Sequence, residues 1–283
     1  MNLSVSAVSQ QIAALEQDFG VALFIRGNRG SRLSPAGEVL KKYAERIEGH
    51  WGQAFREVRM VASGQLTIHM AASHTVSEVF LPEPLGRFRR QHQDVQVRLT
   101  LANSVGVASL VETGQVDFGL AEGPVGRRPL SVSPLWQDEL GLVMSLDHRL
   151  AEAPVVRVTD LLGADLILRE EGSGTRTVLE EALKRAGVHL DPGRIMMESS
   201  SLRAILAMIR HNVGVSVLSR AVTDDAQGVH FALIEGLSLK RDIVLLSRST
   251  DDLTEPARAL VDALGAPRRA RPRQRGGVAA RRT

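Results

Sequence analysis

Residues 4–34 read SVSAVSQQIAALEQDFGVALFIRGNRGSRLS, and their pattern sets the architecture of the N-terminal region. Ser4 is placed to cap a helix, and Val8, Ile12, Leu15 and Phe19 then recur at helical spacing up to Gly20, a residue suited to the left-handed turn that closes a helix. The opposite face presents Ser6, Ser9, Gln10 and Gln17, short uncharged side chains that let a helix approach a major groove and reach base edges. After Gly20, two short apolar segments flank Gly27-Asn28-Arg29-Gly30, which is hairpin chemistry. Arg26, Arg29 and Arg32 project from that hairpin. Three surface arginines alone signify little. Beside a compact polar helix they resemble a wing set on phosphates or in a minor groove. Residues 1–33 are therefore read as a recognition helix followed by a wing.

The next segment, 34–63, opens with Ser34-Pro35, a cap followed by proline in the first turn. Leu40, Ala44, Ile47, Trp51, Ala54, Val58 and Val61 follow at alternating spacings of four and three, between charged flanks. This narrow apolar seam is that of a coiled coil, so the segment is expected to be a linker helix that joins two copies of the chain. Ser63-Gly64 ends it.

From residue 64 to 265 short apolar strands alternate with helical patterns, the signature of parallel sheets covered by helices. A break near Pro134-Leu135-Trp136 suggests two lobes joined by crossing strands, the first of about 65–136 and 233–265 and the second of about 137–232. Ligands in such folds sit beyond the carboxyl ends of strands, at helix starts. Four polar turns fit that place: Ser73-His74-Thr75, where Thr75 and Glu78 have capping-box spacing; Asn103-Ser104; Gly172-Ser173-Gly174-Thr175-Arg176; and Ser199-Ser200-Ser201. The third combines a permissive turn, free helix N–H groups and a cation, which suits a carboxylate, phosphate or sulfate. Ser73, Thr75, Asn103, Ser104, Ser173, Thr175, Arg176 and Ser201 are the candidate effector contacts, although each hydroxyl could simply cap its own helix. Glu170 and Glu171 oppose an anion, and one of them could receive a ligand hydroxyl or ammonium instead. The third turn lacks the Gly-Lys of a phosphate-binding loop, which removes nucleotide hydrolysis from consideration.

Several pieces together resemble the LysR-type transcriptional regulators. AVSQQIAALEQDFGVALFIR and RLSPAGEVL are similar to that family's DNA-binding half. LPEPLGRFRRQHQDVQVRLTLAN, GQVDFGLAEG, DELGLVMSLDHRLA, REEGSGTR and VGVSVLSR are similar to its effector domain, in the same order. The resemblance implies a partial winged helix-turn-helix, a long linker helix and a two-lobed, periplasmic-binding-protein-like α/β domain. It implies promoter DNA and a small metabolite as partners, and homodimers, often tetramers. It places DNA contacts on Ser4, Ser6, Ser9, Gln10, Arg26, Arg29 and Arg32. The family commonly has Gln then Pro where this chain has Val5 and Ser6, which leaves base readout open there. In the family the helix at 4–19 is the second of a helix-turn-helix, and a bracing helix precedes it. The expectation is that Met1 is a misassigned start with roughly 25–30 residues upstream. The alternative is a true truncation, leaving an effector sensor with impaired DNA binding.

Composition agrees with a cytoplasmic regulator. Seven of the 35 basic residues lie in 266–283, which holds no acid; the remaining 28 face 32 acids, a net charge of −4. That Arg-rich tail is expected to be disordered, either adding sequence-independent phosphate contacts or having no dedicated role. The sequence holds no cysteine, so it has no disulfide and no cysteine-ligated metal. No apolar run of membrane-spanning length and no secretory signal occurs, so no membrane partner is expected. No cofactor, metal or catalytic residue is assigned. An enzyme reading has only His74 to offer, since none of the eight histidines lies in an HExxH pattern and no G-x-S-x-G turn occurs. A solute-binding protein is disfavoured by the missing signal and by the 34–63 seam.

Overall fold

The computed structural model describes residues 4–27, 30–126, 129–224, 226–249 and 253–265. The Arg-rich tail and Arg29 of the wing fall outside them, as does the side chain of Arg26. Helix α1 runs Val5–Phe19; the Ser4 hydroxyl accepts from Ala7 N–H, and Gly20 closes the helix at φ 65°. The wing is an antiparallel pair, β1 (Phe24–Gly27) and β2 (Gly30–Leu33), with Phe24 opposite Leu33 and Gly27 opposite Gly30. Glu16 ties helix to wing, because its Oε1 accepts from the N–H groups of Leu23 (2.7 Å) and Phe24 (3.0 Å). Nothing in α1 is buried, and Val8 and Leu15 on its apolar face stay 40% and 41% exposed.

Helix α2 spans Pro35–Ser63, from Ser34, whose hydroxyl accepts from Gly37 N–H, to Gly64 at φ 66°. Ser34 also donates to the carbonyls of Ala22 and Leu23, so the start of α2 sits directly on the wing. The exposed apolar stripe of α2 is broader than the heptad pattern suggests. Ile47, Trp51, Val58 and Val61 lie on it as expected, and Val39, Tyr43 and Phe55 join them, whereas Leu40 is half-buried.

The α/β region follows as β3 (Leu66–Ala72), a π-helical turn (Val76–Phe80), α3 (Pro82–Gln91), β4 (Val95–Leu101), α4 (Ser104–Glu112), β5 (Phe118–Glu122) and β6 (Ser131–Ser145). Next come β7 (Val155–Val156), α5 (Val158–Leu162), β8 (Leu166–Arg169), α6 (Gly174–Arg185), β9 (Ile195–Ser199), α7 (Leu202–Arg210) and β10 (Ser216–Ser219). The last are α8 (Arg220–Thr223), β11 (Val229–Ile234), β12 (Lys240–Ser247) and α9 (Glu255–Gly265). In the first lobe β3 pairs in parallel with β4 and β5; β5 is buried along its whole length, whereas β4 lies at the sheet edge, alternates Val95, Val97 and Leu99 with Gln96, Arg98 and Thr100, and is largely exposed. Ile68, Met70 and Ala72 pack with Phe88 of α3 and Leu260 of α9, while Ala71 packs with Val107 and Val111 of α4. The second lobe is built around Leu142, Leu166, Leu179 and Val217, with a further cluster under Ile205 and Ile209 of α7.

Three expectations are corrected here. The sheets are mixed rather than parallel: β12 runs antiparallel to β5 and β6, and β10 and β11 run antiparallel to β6, because both connections between lobes are return strands. Pro134-Leu135-Trp136 is no break. Strand β6 runs through it with a register shift opposite Ile243/Val244, and a bulge tolerates a proline that cannot donate to the ladder. The chain crosses into the second lobe near Leu140 and returns at Lys240, not near 233. Ile234 and Leu239 pack with Leu140 in the second core, and Leu140 N–H donates to the Leu239 carbonyl.

Candidate functional site

Several of the helix starts converge between the lobes, and the side chains of Ser73, Asn103, Ser104 and Thr175 each make a contact there. Ser73 follows β3. Its hydroxyl accepts from Val76 N–H and helps to hold the Glu122 carboxyl, at the end of β5, below the usual range. Thr75 does not cap: its backbone is helical (φ −60°, ψ −44°) and its side chain takes no capping bond, because the helix begins two residues earlier, on Ser73. Asn103 caps α4 by accepting from Gly106 N–H and reaches across the cleft to donate to the Glu171 carbonyl (3.0 Å). A Cβ on Gly172 would lie 2.8 Å from the Asn103 amide nitrogen, and Gly172 has φ 82°, so glycine is required where the lobes meet. Ser104 donates to Glu122 Oε2 at 2.6 Å. Ser173 is buried at the start of α6 without capping it. Thr175 accepts from Arg241 Nη1 at 2.9 Å.

Two candidates stand apart from this cluster. Arg176 is committed to the second lobe, with Glu180 at 2.7 Å, Glu198 at 2.8 Å and the Arg169 carbonyl, and the Glu180 and Glu198 contacts hold its guanidinium firmly protonated. It is therefore not a free cation for a ligand. Ser201 is exposed and caps α7 by accepting from Ala204 N–H.

The centre of the site is a group that the turns did not reveal. Arg241 on β12 lies opposite Asp138 on β6, and its Nε and Nη2 meet Asp138 Oδ2 at 2.9 and 2.7 Å. Nη2 is also 3.7 Å from Glu122 Oε1, and Ser219 donates to Asp138 Oδ1 at 2.6 Å. Arg241, Glu122 and Asp138 are all more than nine-tenths buried. Burial pushes the Glu122 carboxyl up. Arg241 and the Ser104 and Ser73 hydroxyls outweigh that and hold it below the usual carboxylate range. A cavity of about 600 Å³ opens on the flank of the crossing strands, with Asp138 and Arg241 in its wall beside Phe80, Arg220 and Asp224. In the sequence Asp138 and Arg241 stand among other polar and charged residues, in QDEL and KRDI, and Glu122 stands at a strand end, so no local spacing singles them out.

On the other side, Ser4 and Ser6 share a hydrogen bond of 2.8 Å, Ser9 and Gln10 are free to face solvent, and Arg32 is exposed on β2. Linker and first lobe are also joined. Arg46 pairs with Glu112 at 2.6 Å, Arg56 donates to the Gly114 carbonyl, and Arg248 donates to Gln53. Among the described residues no group of His, Asp and Glu is placed to hold a metal ion, and no helix is long and apolar enough to cross a membrane.

Residues 62–267 match the family model for the LysR substrate binding domain, and residues 1–38 match that for the bacterial regulatory helix-turn-helix protein of the lysR family. A probable RuBisCO transcriptional regulator of Synechocystis sp. is 30% identical over 246 residues, which cover 84% of this chain and 71% of that protein. The HTH-type transcriptional regulator YeiE of Escherichia coli is 35% identical over 230 residues, covering 79% and 74%. Among solved structures, the regulatory domain of Synechocystis CcmR in complex with 2-PG superposes with a TM-score of 0.65 at 25% identity, covering 71% of this chain and 97% of that one.

Proposed function

The chain belongs to the LysR family of transcriptional regulators, and we propose that it binds promoter DNA in the cytoplasm as a dimer through α1 and the wing, under the control of a small acid held between its lobes. The observation that carries the ligand half is the convergence of Ser73, Ser104, Thr175 and Arg241 on one buried point at the starts of three helical segments. Hydroxyl donors, helix N–H groups and a guanidinium together suit a carboxylate or phosphate. The similar CcmR domain is described in complex with 2-PG, which supports that class of ligand.

Control follows from two joined parts. A ligand that prefers one arrangement of the lobes shifts the population toward it. The first lobe is fastened to α2 through Arg46–Glu112 and Arg56–Gly114, so a lobe movement re-aims α2 and the DNA-reading element at its N-terminal end. The exposed stripe of Tyr43, Ile47, Trp51, Phe55 and Val58 suits pairing with a second copy, and two-fold symmetry calls for a pseudo-palindromic operator.

DNA readout is tested by two variants with different expected signatures. Gln10→Ala is expected to weaken operator binding by about 10- to 100-fold while leaving binding to scrambled DNA unchanged, as removal of a base-edge hydrogen bond does. Arg32→Ala is expected to weaken both alike and to lower the salt slope by about one for each phosphate the side chain neutralises. Identical operator affinities for both variants and the parent chain would remove α1 and the wing from the interface.

The linker contact has its own reporter. His69 on β3 is lowered to about 4, first by burial and then by Arg56 of α2 and Arg98 of β4. A histidine whose folded value is depressed contributes stability above its unfolded value near 6.5. That contribution is lost as pH falls through about 4. Arg56→Gln is expected to move the His69 titration upward, read by NMR of its ring resonances, and an unmoved titration would show that α2 is not docked there in solution.

A further inference from the structure

We propose that Glu122 is the cleft's built-in carboxylate ligand: in the effector-free protein it occupies the anion seat, and an acid effector binds by displacing it. This rests on the reading of the cleft as the effector site and adds how the seat is guarded. Two of the hydroxyls that the sequence offers to an effector, together with the Arg241 guanidinium, are already turned onto this one side chain. Ser104 donates to its Oε2 at 2.6 Å, the Ser73 hydroxyl helps to hold it charged, and Arg241 Nη2 stands 3.7 Å from its Oε1. No space is left between it and the start of α6. A Cβ on Gly174 would lie 2.6 Å from Glu122 Cβ and 2.8 Å from Ser104 Oγ. A ligand that is to meet both α6 and the two serines must take the place of the carboxylate.

Charge identifies which group gives way. Two buried carboxylates share one buried guanidinium, so the trio carries a net charge of −1 where charge is costly to hold. Asp138 has the firm half of Arg241, as its opposite residue across the strands, with two contacts under 3 Å and the Ser219 hydroxyl behind it. Glu122 has the looser half and stands at the last residue of β5, next to Gly123 and a partly exposed loop. Exchanging Glu122 for an incoming carboxylate or phosphate monoanion keeps the Arg241–Asp138 pair and the charge of the site. The exchange also releases Glu122 toward water, which lowers its own desolvation cost. The seat therefore selects small acids that present one anionic group to Ser73, Ser104 and Arg241, and it sets their affinity through competition with an internal rival.

The test is binding of two probes, sulfate and 2-PG, to the full chain and to Glu122→Gln, by calorimetry and by ligand-dependent thermal midpoint. Glutamine keeps the length and an oxygen acceptor for Ser104 while removing the rival charge. Binding of both probes is expected to tighten at least tenfold, and Glu122→Asp, which keeps the charge, is expected to stay within about threefold of the parent. In the parent chain the Glu122 side-chain carboxyl carbon resonance is expected to shift as 2-PG saturates. Equal or weaker probe binding in Glu122→Gln, no probe binding in either protein, or an equal gain in Glu122→Asp would each overturn the proposal. So would a carboxyl resonance that stays in place while 2-PG binds. Loss of probe binding in Glu122→Gln alongside tight binding by the parent would make Glu122 a ligand contact, which sinks the competition but leaves the effector-site reading standing.

Discussion

Replacing Arg241 by alanine is expected to destabilise the two-lobed domain by about 3–5 kcal/mol, because it removes the single cation between two buried carboxylates. For a domain of this size that is a fall in Tm on the order of 10 °C. The effect should depend on pH with a definite sign. In the parent chain Glu122 is held below the usual carboxylate range, so its contribution is present above that range and lost as acid protonates it. In Arg241→Ala the same carboxyl is left buried without its cation, its folded value rises, and stability is lost as pH increases through that raised value. The two unfolding curves should therefore diverge above about pH 5 and converge toward pH 3. Arg241→Lys should recover only part of the loss, since one ammonium cannot serve Asp138 and Thr175 from separate nitrogens as Nε, Nη2 and Nη1 do. Denaturant unfolding monitored from pH 3 to 8 checks all three, and parallel curves across that range would show that the trio is solvated rather than buried.

Gly49→Leu is expected to detach the linker helix from the first lobe without melting either. A Cβ at Gly49 would lie 1.3 Å from the Thr113 carbonyl oxygen, 2.5 Å from its carbon and 3.1 Å from Gly114 Cα, all backbone atoms that cannot rotate aside. The helix itself gains from the change, because glycine inside a helix is worse than an ordinary residue by nearly 1 kcal/mol. Strain is thus expected to be relieved at the contact: Arg46 separates from Glu112, and Arg56 leaves Gly114 and the vicinity of His69. His69 should then titrate well above about 4, and the operator affinity of the variant should no longer respond to a ligand of the cleft. A His69 titration unchanged from the parent would mean that the seat on Thr113 is absent in solution.

What the sequence made legible was local. Ser4, Gly20, Ser34 and Pro35 mark helix ends by short-range hydrogen bonding and backbone preference, and α1 and α2 begin and end where those residues say. The site was only half legible, since the polar helix starts at Ser73, Asn103 and Ser104 were visible as turns after apolar strands. Arg241, Asp138 and Glu122 were not, because antiparallel register joins residues about a hundred positions apart and no short-range pattern announces it. Thr75 misled by its capping-box spacing to Glu78, since it is Ser73 that caps the segment by accepting from Val76 N–H. Arg176 misled because its carboxylate partner Glu198 comes from a different strand. Gly49 carried no signal at all, for a glycine in a helix means close approach only once the opposing backbone is known.

The most direct test is fluorescence anisotropy of the chain on DNA from the region upstream of its own gene and on a scrambled duplex, across a salt series. A dimer that reads sequence through α1 and the wing is expected to prefer its own DNA by about a thousandfold or more near 0.15 M salt, where contacts to phosphates alone are weak. Equal affinities for the two duplexes at every salt concentration would contradict its assignment as a promoter-reading regulator.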